Sequence, residues 1–128
     1  MVSMGGPTMG TNWSVGLVDD GGLPADLEAR VRATLDGVIG EMSTWRDDSD
    51  LSRFNAALAG SWHRLPDALF VVLEQALSVA RESGGAYDPT VGPLVDLWGF
   101  GPQGPCPRPS ATDVEAARGR VGWDRIEL

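Results

Sequence analysis

The segment Ser83-Gly84-Gly85-Ala86-Tyr87-Asp88-Pro89-Thr90-Val91-Gly92-Pro93 is too rich in glycine and proline to form the interior of a helix. The residues that follow it, Leu94, Val95, Leu97, Trp98 and Phe100, are too apolar for a solvated loop. Apolar residues in a stretch punctuated by Gly and Pro predict an ordered loop, packed on the body of the protein or around a ligand. Two readings of its start stand side by side. Gly84 and Gly85 permit positive φ and expose backbone N–H groups that suit an anion, with the Tyr87 ring and hydroxyl beside them. Alternatively they form a helix C-cap, and Asp88-Pro89 makes a rigid turn. From Gly101 to Pro109 the sequence reads as an exposed connection.

Working outward from this segment, helical periodicity appears on its N-terminal side. Leu69, Leu73, Leu77 and Ala80 recur at three- and four-residue spacing, widened by Val72 and Ala76. They predict a helix over 66–83, with Pro66 at its first position and Gly84-Gly85 as its stop. Ser49 is placed to cap a short helix that carries Leu51 and Phe54 inward and ends at Asn55. Leu27, Val31, Leu35, Val38 and Met42 predict a second long helix over 24–43, opened by Pro24. Gly37 and Gly40 weaken it by roughly 1 kcal/mol each relative to Ala. Trp13, Val15 and Leu17 alternate with polar or small residues and predict a strand over 11–18, closed by the Asp19-Asp20-Gly21-Gly22 turn. Residues 1–11 read as a glycine-rich lead-in. Beyond the central segment, Thr112-Asp113-Val114-Glu115 has capping-box spacing and predicts a helix to about Val121. Trp123, Ile126 and Leu128 predict the start of another strand. Two amphipathic helices each require a surface to cover, and few strands are available. The pattern predicts an α/β or α+β fold with helices packed on a mostly antiparallel or mixed sheet, of which these residues supply the first part.

The chain has 128 residues, 42% of them hydrophobic and 22% charged, a composition of globular rather than disordered proteins. Its 18 acidic and 10 basic residues give a net charge of -8, which disfavours nucleic acid and anionic membrane surfaces as partners. All the basic residues are arginine, so lysine-dependent catalysis is excluded. One cysteine excludes an internal disulfide, and one histidine excludes a Cys/His zinc cluster. No apolar run approaches the roughly 20 residues of a membrane span. No signal peptide or lipobox cysteine is recognisable, and the sequence assigns no compartment.

Individual motifs carry weaker signals. Thr8-Met9-Gly10-Thr11 reads either as a flexible lead-in, the favoured reading, or as a loop whose backbone approaches a ligand. Trp45, in Ser43-Thr44-Trp45-Arg46, follows a helix end and either packs on the core or stacks on an aromatic ligand. Asp47, Asp48 and Asp50 read as a solvated turn rather than a divalent-ion site. His63 reads as structural. Cys106, between two prolines, has no neighbour that lowers its pKa and is taken as incidental.

Together these segments resemble the ApbE family of FAD:protein FMN transferases. The resemblance lies in Thr8-Met9-Gly10-Thr11, in Met42-Ser43-Thr44-Trp45, in Ser49-Asp50-Leu51-Ser52-Arg53-Phe54-Asn55, and above all in the run from Gly84 to Gly101. It implies an enzyme that cleaves FAD, moves FMN onto a Thr or Ser hydroxyl of an acceptor flavoprotein, and releases AMP with the help of Mg2+. Carried over residue by residue, it makes Met9, Trp45, Gly85, Ala86 and Tyr87 the FAD-binding residues. Trp45 stands where relatives often have a Tyr. The family's later Asp- and Thr-containing metal motifs have no counterpart here. The resemblance therefore implies that residues 1–128 are the N-terminal portion of a single ApbE-like domain. No catalytic or metal-binding residue is assigned within them, and they are expected to be inactive alone. Expected partners are FAD, the acceptor flavoprotein and the remaining C-terminal part of the domain. Two alternatives are a non-catalytic flavin-binding or partner-docking module, and a structural fragment that self-associates through its exposed apolar surface.

Overall fold

A computed structural model describes all 128 residues. Strand β1 (Val2–Thr8) pairs antiparallel with β2 (Thr11–Leu17), from Val2 opposite Leu17 to Thr8 opposite Thr11. Met9 and Gly10 form the two-residue turn between them, with φ of 48° and 74°. Positive φ at both positions is the geometry of a type I′ hairpin turn, whose twist matches that of its strands. The supposed lead-in is thus a strand. Gly5, Gly6 and Pro7 hide it from propensity, and pairing with β2 overrides their preferences. Met4, Gly6 and Thr8 share a half-buried face with Trp13, Val15 and Leu17. Arg32 reaches across this face from the next helix, and its guanidinium donates to the Gly5 carbonyl at 3.4 Å.

Helix α1 spans Leu27–Met42 and begins three residues later than Pro24 suggests. The Leu27 N–H is already bonded to the Pro24 carbonyl in the preceding turn. Ile39, rather than Val38, takes the inward position. Helix α2 (Asp50–Asn55) is capped by Ser49, whose hydroxyl accepts from the Ser52 N–H. Helix α3 spans Asp67–Glu82, with Pro66 as its N-cap rather than its first residue. Leu69, Leu77 and Ala80 are buried, but Val72 is 51% exposed and does not widen the stripe.

The central loop holds a further helix, α4 (Gly92–Leu97), with Pro93 in its first turn where no N–H is required. Helix α5 spans Ala111–Arg118, shorter than predicted. Its capping box is built by Ser110 and Asp113, not by Thr112 and Glu115. Trp123–Arg125 forms a 3-10 turn instead of a strand. The Arg125 N–H bonds back to the Gly122 carbonyl, and the only sheet is the β1–β2 ribbon. The fold is α+β. No helix is long and apolar enough to cross a membrane. Six of 128 residues are buried, four of them hydrophobic, so α1 and α3 are only partly covered and Phe70, Val71 and Val72 remain exposed.

The Ser110–Asp113 box makes a testable contribution. The Ser110 hydroxyl and backbone N–H hold the Asp113 carboxyl below its ordinary range. A depressed folded pKa gives stability that is complete above the unfolded value, about 3.9. That stability is lost as pH falls through the folded value. Ser110→Ala is expected to lower stability by about 1 kcal/mol at neutral pH. Asp113→Asn is expected to flatten the acid limb of the melting temperature between pH 5 and 2, about the span in which a depressed Asp titrates. Thermal melts followed by circular dichroism check both.

Candidate functional site

The hairpin turn and the C-terminal end of α1 enclose an open trough of about 650 Å³. Its lining includes Met9, Val38, Ile39, Met42 and Trp45. The type I′ turn fixes the position of Met9, and the α1 stripe supplies the floor. Val38, one of the apolar residues that predict α1, lines this trough. Met9 is 56% exposed and Trp45 is 68% exposed, so neither side chain is consumed by packing. An apolar trough flanked by an uncovered indole suits a flat aromatic ring, which gains dispersion and stacking on both sides.

Polar groups border the trough. The Arg46 guanidinium makes a two-pronged pair with Asp48, at 2.9 and 2.7 Å. This hydrogen-bonded pair holds the Asp48 carboxyl below, and the Arg46 guanidinium above, their ordinary pKa values. Both groups lie in solvent, and the pair shapes the turn more than it stabilises the fold. Thr8 Oγ1 and Glu41 Oε2 are buried without hydrogen-bond partners. They adjoin the trough-lining Met9 and Met42 in sequence, and unpartnered buried oxygens of this kind are rare in native proteins.

The second predicted cluster lies apart, since none of Gly85, Ala86 and Tyr87 lines the trough. Gly84 and Gly85 terminate α3 in a Schellman arrangement. The Gly85 N–H reaches the Ala80 carbonyl at 2.8 Å and the Gly84 N–H reaches that of Arg81 at 3.2 Å. The Ala86 N–H bonds to the Ser83 carbonyl, and the Tyr87 N–H bonds to the Ser83 hydroxyl. All four N–H groups are therefore occupied, which removes the anion-binding reading of this segment. The carbonyls of residues 84–87 accept no hydrogen bond within the chain and are left as acceptors. Tyr87 is 46% exposed. Gly85 sits under the Trp123 indole, where an added Cβ would lie 3.2 Å from Nε1.

Asp88 forms the turn the sequence predicts and also ties this loop to Trp123, a link sequence reasoning did not find. Its Oδ1 accepts from the Thr90 N–H at 2.8 Å and the Thr90 hydroxyl at 2.6 Å. Its Oδ2 accepts from the Trp123 N–H at 3.3 Å. Thr90 Oγ1 in turn accepts from the Gly122 N–H at 2.7 Å. The Asp-Pro-Thr order is the visible signal of an Asx turn, but its partners lie more than 30 residues away.

His63 lies 2.8 Å from the Ser61 hydroxyl and packs edge-on against Phe54. The Cys106 thiol lies 3.4 and 3.5 Å from the Asp96 and Leu97 carbonyls and closes the end of α4. No three Asp, Glu, His or Cys side chains converge as a metal site.

Comparison with known proteins supplies the context for this geometry. The ApbE family model matches residues 9–128. The FAD:protein FMN transferase of Klebsiella pneumoniae is 38% identical over 125 residues, 96% of this chain and 36% of that protein. Its counterpart in Haemophilus influenzae is 38% identical, over 100% of this chain and 38% of that protein. The chain thus spans little more than a third of the length of these relatives. Among solved structures, the flavin transferase ApbE of Vibrio cholerae superposes with a TM-score of 0.94 at 34% identity. The match covers 99% of this chain and 42% of that one. The apo flavinyl transferase ApbE of Pseudomonas stutzeri gives 0.90 at 40% identity, covering 99% and 41%. With its Met-Gly-Thr hairpin turn and Gly-Gly-Ala-Tyr-Asp loop inside the matched region, the chain belongs to the ApbE family.

Proposed function

We propose that residues 1–128 are the flavin-binding, N-terminal portion of a single ApbE-like domain. The whole domain moves FMN from FAD onto a Thr or Ser hydroxyl of an acceptor flavoprotein. The acceptor oxygen forms a bond to the FMN phosphorus, the bond to AMP breaks, and the hydroxyl proton passes to a base. The names of the relatives support this reading. The observation that carries it is the trough that brings Met9 and Trp45 together. An isoalloxazine ring is flat and apolar on its faces, and an indole stack contributes about 0.5–1.5 kcal/mol beyond area burial. Gly85, Ala86 and Tyr87 form a second contact, through free carbonyls and the Tyr87 ring. FAD has a ring system at each end, which suits two separate walls. The base and any Mg2+ ligands are assigned to the rest of the domain, where the family resemblance expects them.

FAD titration of the purified chain, followed by flavin fluorescence with and without Mg2+, tests the proposal. Quenching with a Kd on the order of micromolar, indifferent to Mg2+, is expected, and Trp45→Ala should weaken it about tenfold. An absence of quenching overturns the assignment. With FAD, Mg2+ and an acceptor peptide, no covalent flavin is expected. Flavinylation of the peptide would place the catalytic groups within these residues after all.

A further inference from the structure

We infer that Ser49 and Ser52 are positioning residues for Trp45: their hydroxyls clamp the carbonyl that ends α1 and so set the indole against the flavin. The inference rests on the flavin reading of the trough.

Ser43 is the C-cap of α1, just past Met42, with extended backbone, so its carbonyl has no intrahelical donor. It accepts from the Ser49 hydroxyl at 2.5 Å and the Ser52 hydroxyl at 3.2 Å. Ser43 is held on its other sides too. Its N–H donates to the Ile39 carbonyl, and its own hydroxyl accepts from the Trp45 N–H at 3.1 Å. Ser49 is fully buried, the one polar side chain in the chain that is. It both caps α2 and donates to Ser43, using both hydroxyl functions at once. The far side of the turn is fixed as well. The Ser49 N–H reaches the Arg46 carbonyl at 3.3 Å, and Arg53 donates to the Asp48 carbonyl.

Trp45 sits between these two anchors. Its ring is largely in solvent, so packing does not orient it. Its direction is inherited from the backbone of residues 43–46, and that backbone is held by the serine clamp. A burial-driven role would place apolar side chains at positions 49 and 52. Two hydroxyls aimed at one carbonyl instead fix direction, because hydrogen bonds are directional where apolar contacts are not. Removing both hydroxyls would leave the Ser43 carbonyl without a donor in the chain.

The test uses the 128-residue chain with variants Ser49→Ala, Ser52→Ala and Trp45→Leu, singly and combined. FAD affinity is read by flavin quenching. Backbone order at the Trp45 amide is read by 15N relaxation without ligand. Ser52→Ala leaves the α2 cap intact and serves where Ser49→Ala fails to fold. Ser52→Ala is expected to weaken FAD about threefold, and Ser49→Ala about tenfold, as coupled neighbours in one network do. In the Trp45→Leu background neither is expected to change affinity further. The wild-type order parameter at Trp45 should be near 0.85, falling towards about 0.6 in the serine variants. Effects that add in the Trp45→Leu background mark a merely structural role and overturn the inference. So does a Trp45 order parameter that neither variant moves, whatever FAD does. If the wild type binds no FAD while the serine variants loosen Trp45, the flavin reading falls and the clamp stands.

Discussion

Asp88→Ala is expected to destabilise the protein by about 3 kcal/mol and to release the 84–91 loop from residues 122–123. The carboxylate accepts three hydrogen bonds, two from Thr90 and one from the Trp123 N–H, in a partly buried setting. Hydrogen bonds to a charged acceptor contribute about 1.5–3 kcal/mol each when broken singly, and they are not additive within one cluster. Alanine would leave the Thr90 and Trp123 N–H groups without their partners. It would also free Thr90, whose hydroxyl holds the Gly122 N–H. Asp88→Asn should be intermediate, because an amide keeps one acceptor oxygen but turns an NH2 towards the other donors. Urea unfolding gives the magnitude, and amide exchange at Gly122 and Trp123 gives the location. An alanine variant with wild-type unfolding and unchanged exchange at these two amides would show that Asp88 does not hold the loop. The expected change is large against the 5–15 kcal/mol by which native domains are stable.

The helices were legible because their apolar residues are periodic and their caps are local. α1, α2 and α3 lie close to their predicted spans, and Ser49 caps α2 as expected. What escaped depended on partners. β1 has no alternation of its own, and its glycines and proline take extended form because β2 lies alongside. Met9 at positive φ disguised the hairpin, since that turn more often carries Asn or Asp. α4 hid behind Gly92 and Pro93, which lower propensity yet are tolerated in a first turn. Trp123 and Ile126 have strand-forming side chains but no strand to pair with. Within the candidate site, Met9 and Trp45 were named through family resemblance, and the trough gives them a shared surface. The anion reading of Gly84 and Gly85 failed for a local reason: the helix end consumes their N–H groups. The Asp88 link was not legible, because nothing near residue 88 identifies Gly122 and Trp123 as its partners.

Gly99→Ala is expected to cost about 3 kcal/mol or to refold the 98–106 loop, the other large effect in this chain. Gly99 has φ of 78°, a region that costs an L-residue about 1–2 kcal/mol. An added Cβ would also lie 2.8 Å from the Cys106 nitrogen and 3.0 Å from the Pro105 Cα. Its third neighbour, the Gly104 carbonyl oxygen, is at 3.1 Å. All three are backbone atoms, so no side chain can swing aside to make room. Gly104 separates the two contributions: its φ is 77°, but nothing lies within 4 Å of its added Cβ. Gly104→Ala should therefore cost only the backbone part, about 1 kcal/mol. The crowding has a second readout. The loop brings the Cys106 thiol to the α4 carbonyls, and displacing it should speed the reaction of Cys106 with a disulfide reagent. Because α4 packs on α5, the disturbance should reach the buried Ala117 as well. Equal stabilities for the Gly99 and Gly104 variants, with unchanged thiol reactivity, would leave positive φ as the sole reason for glycine at position 99. A clear gap between them would show that the apolar segment after Gly92 is held by backbone-to-backbone contact, which explains how it stays ordered with so little buried surface.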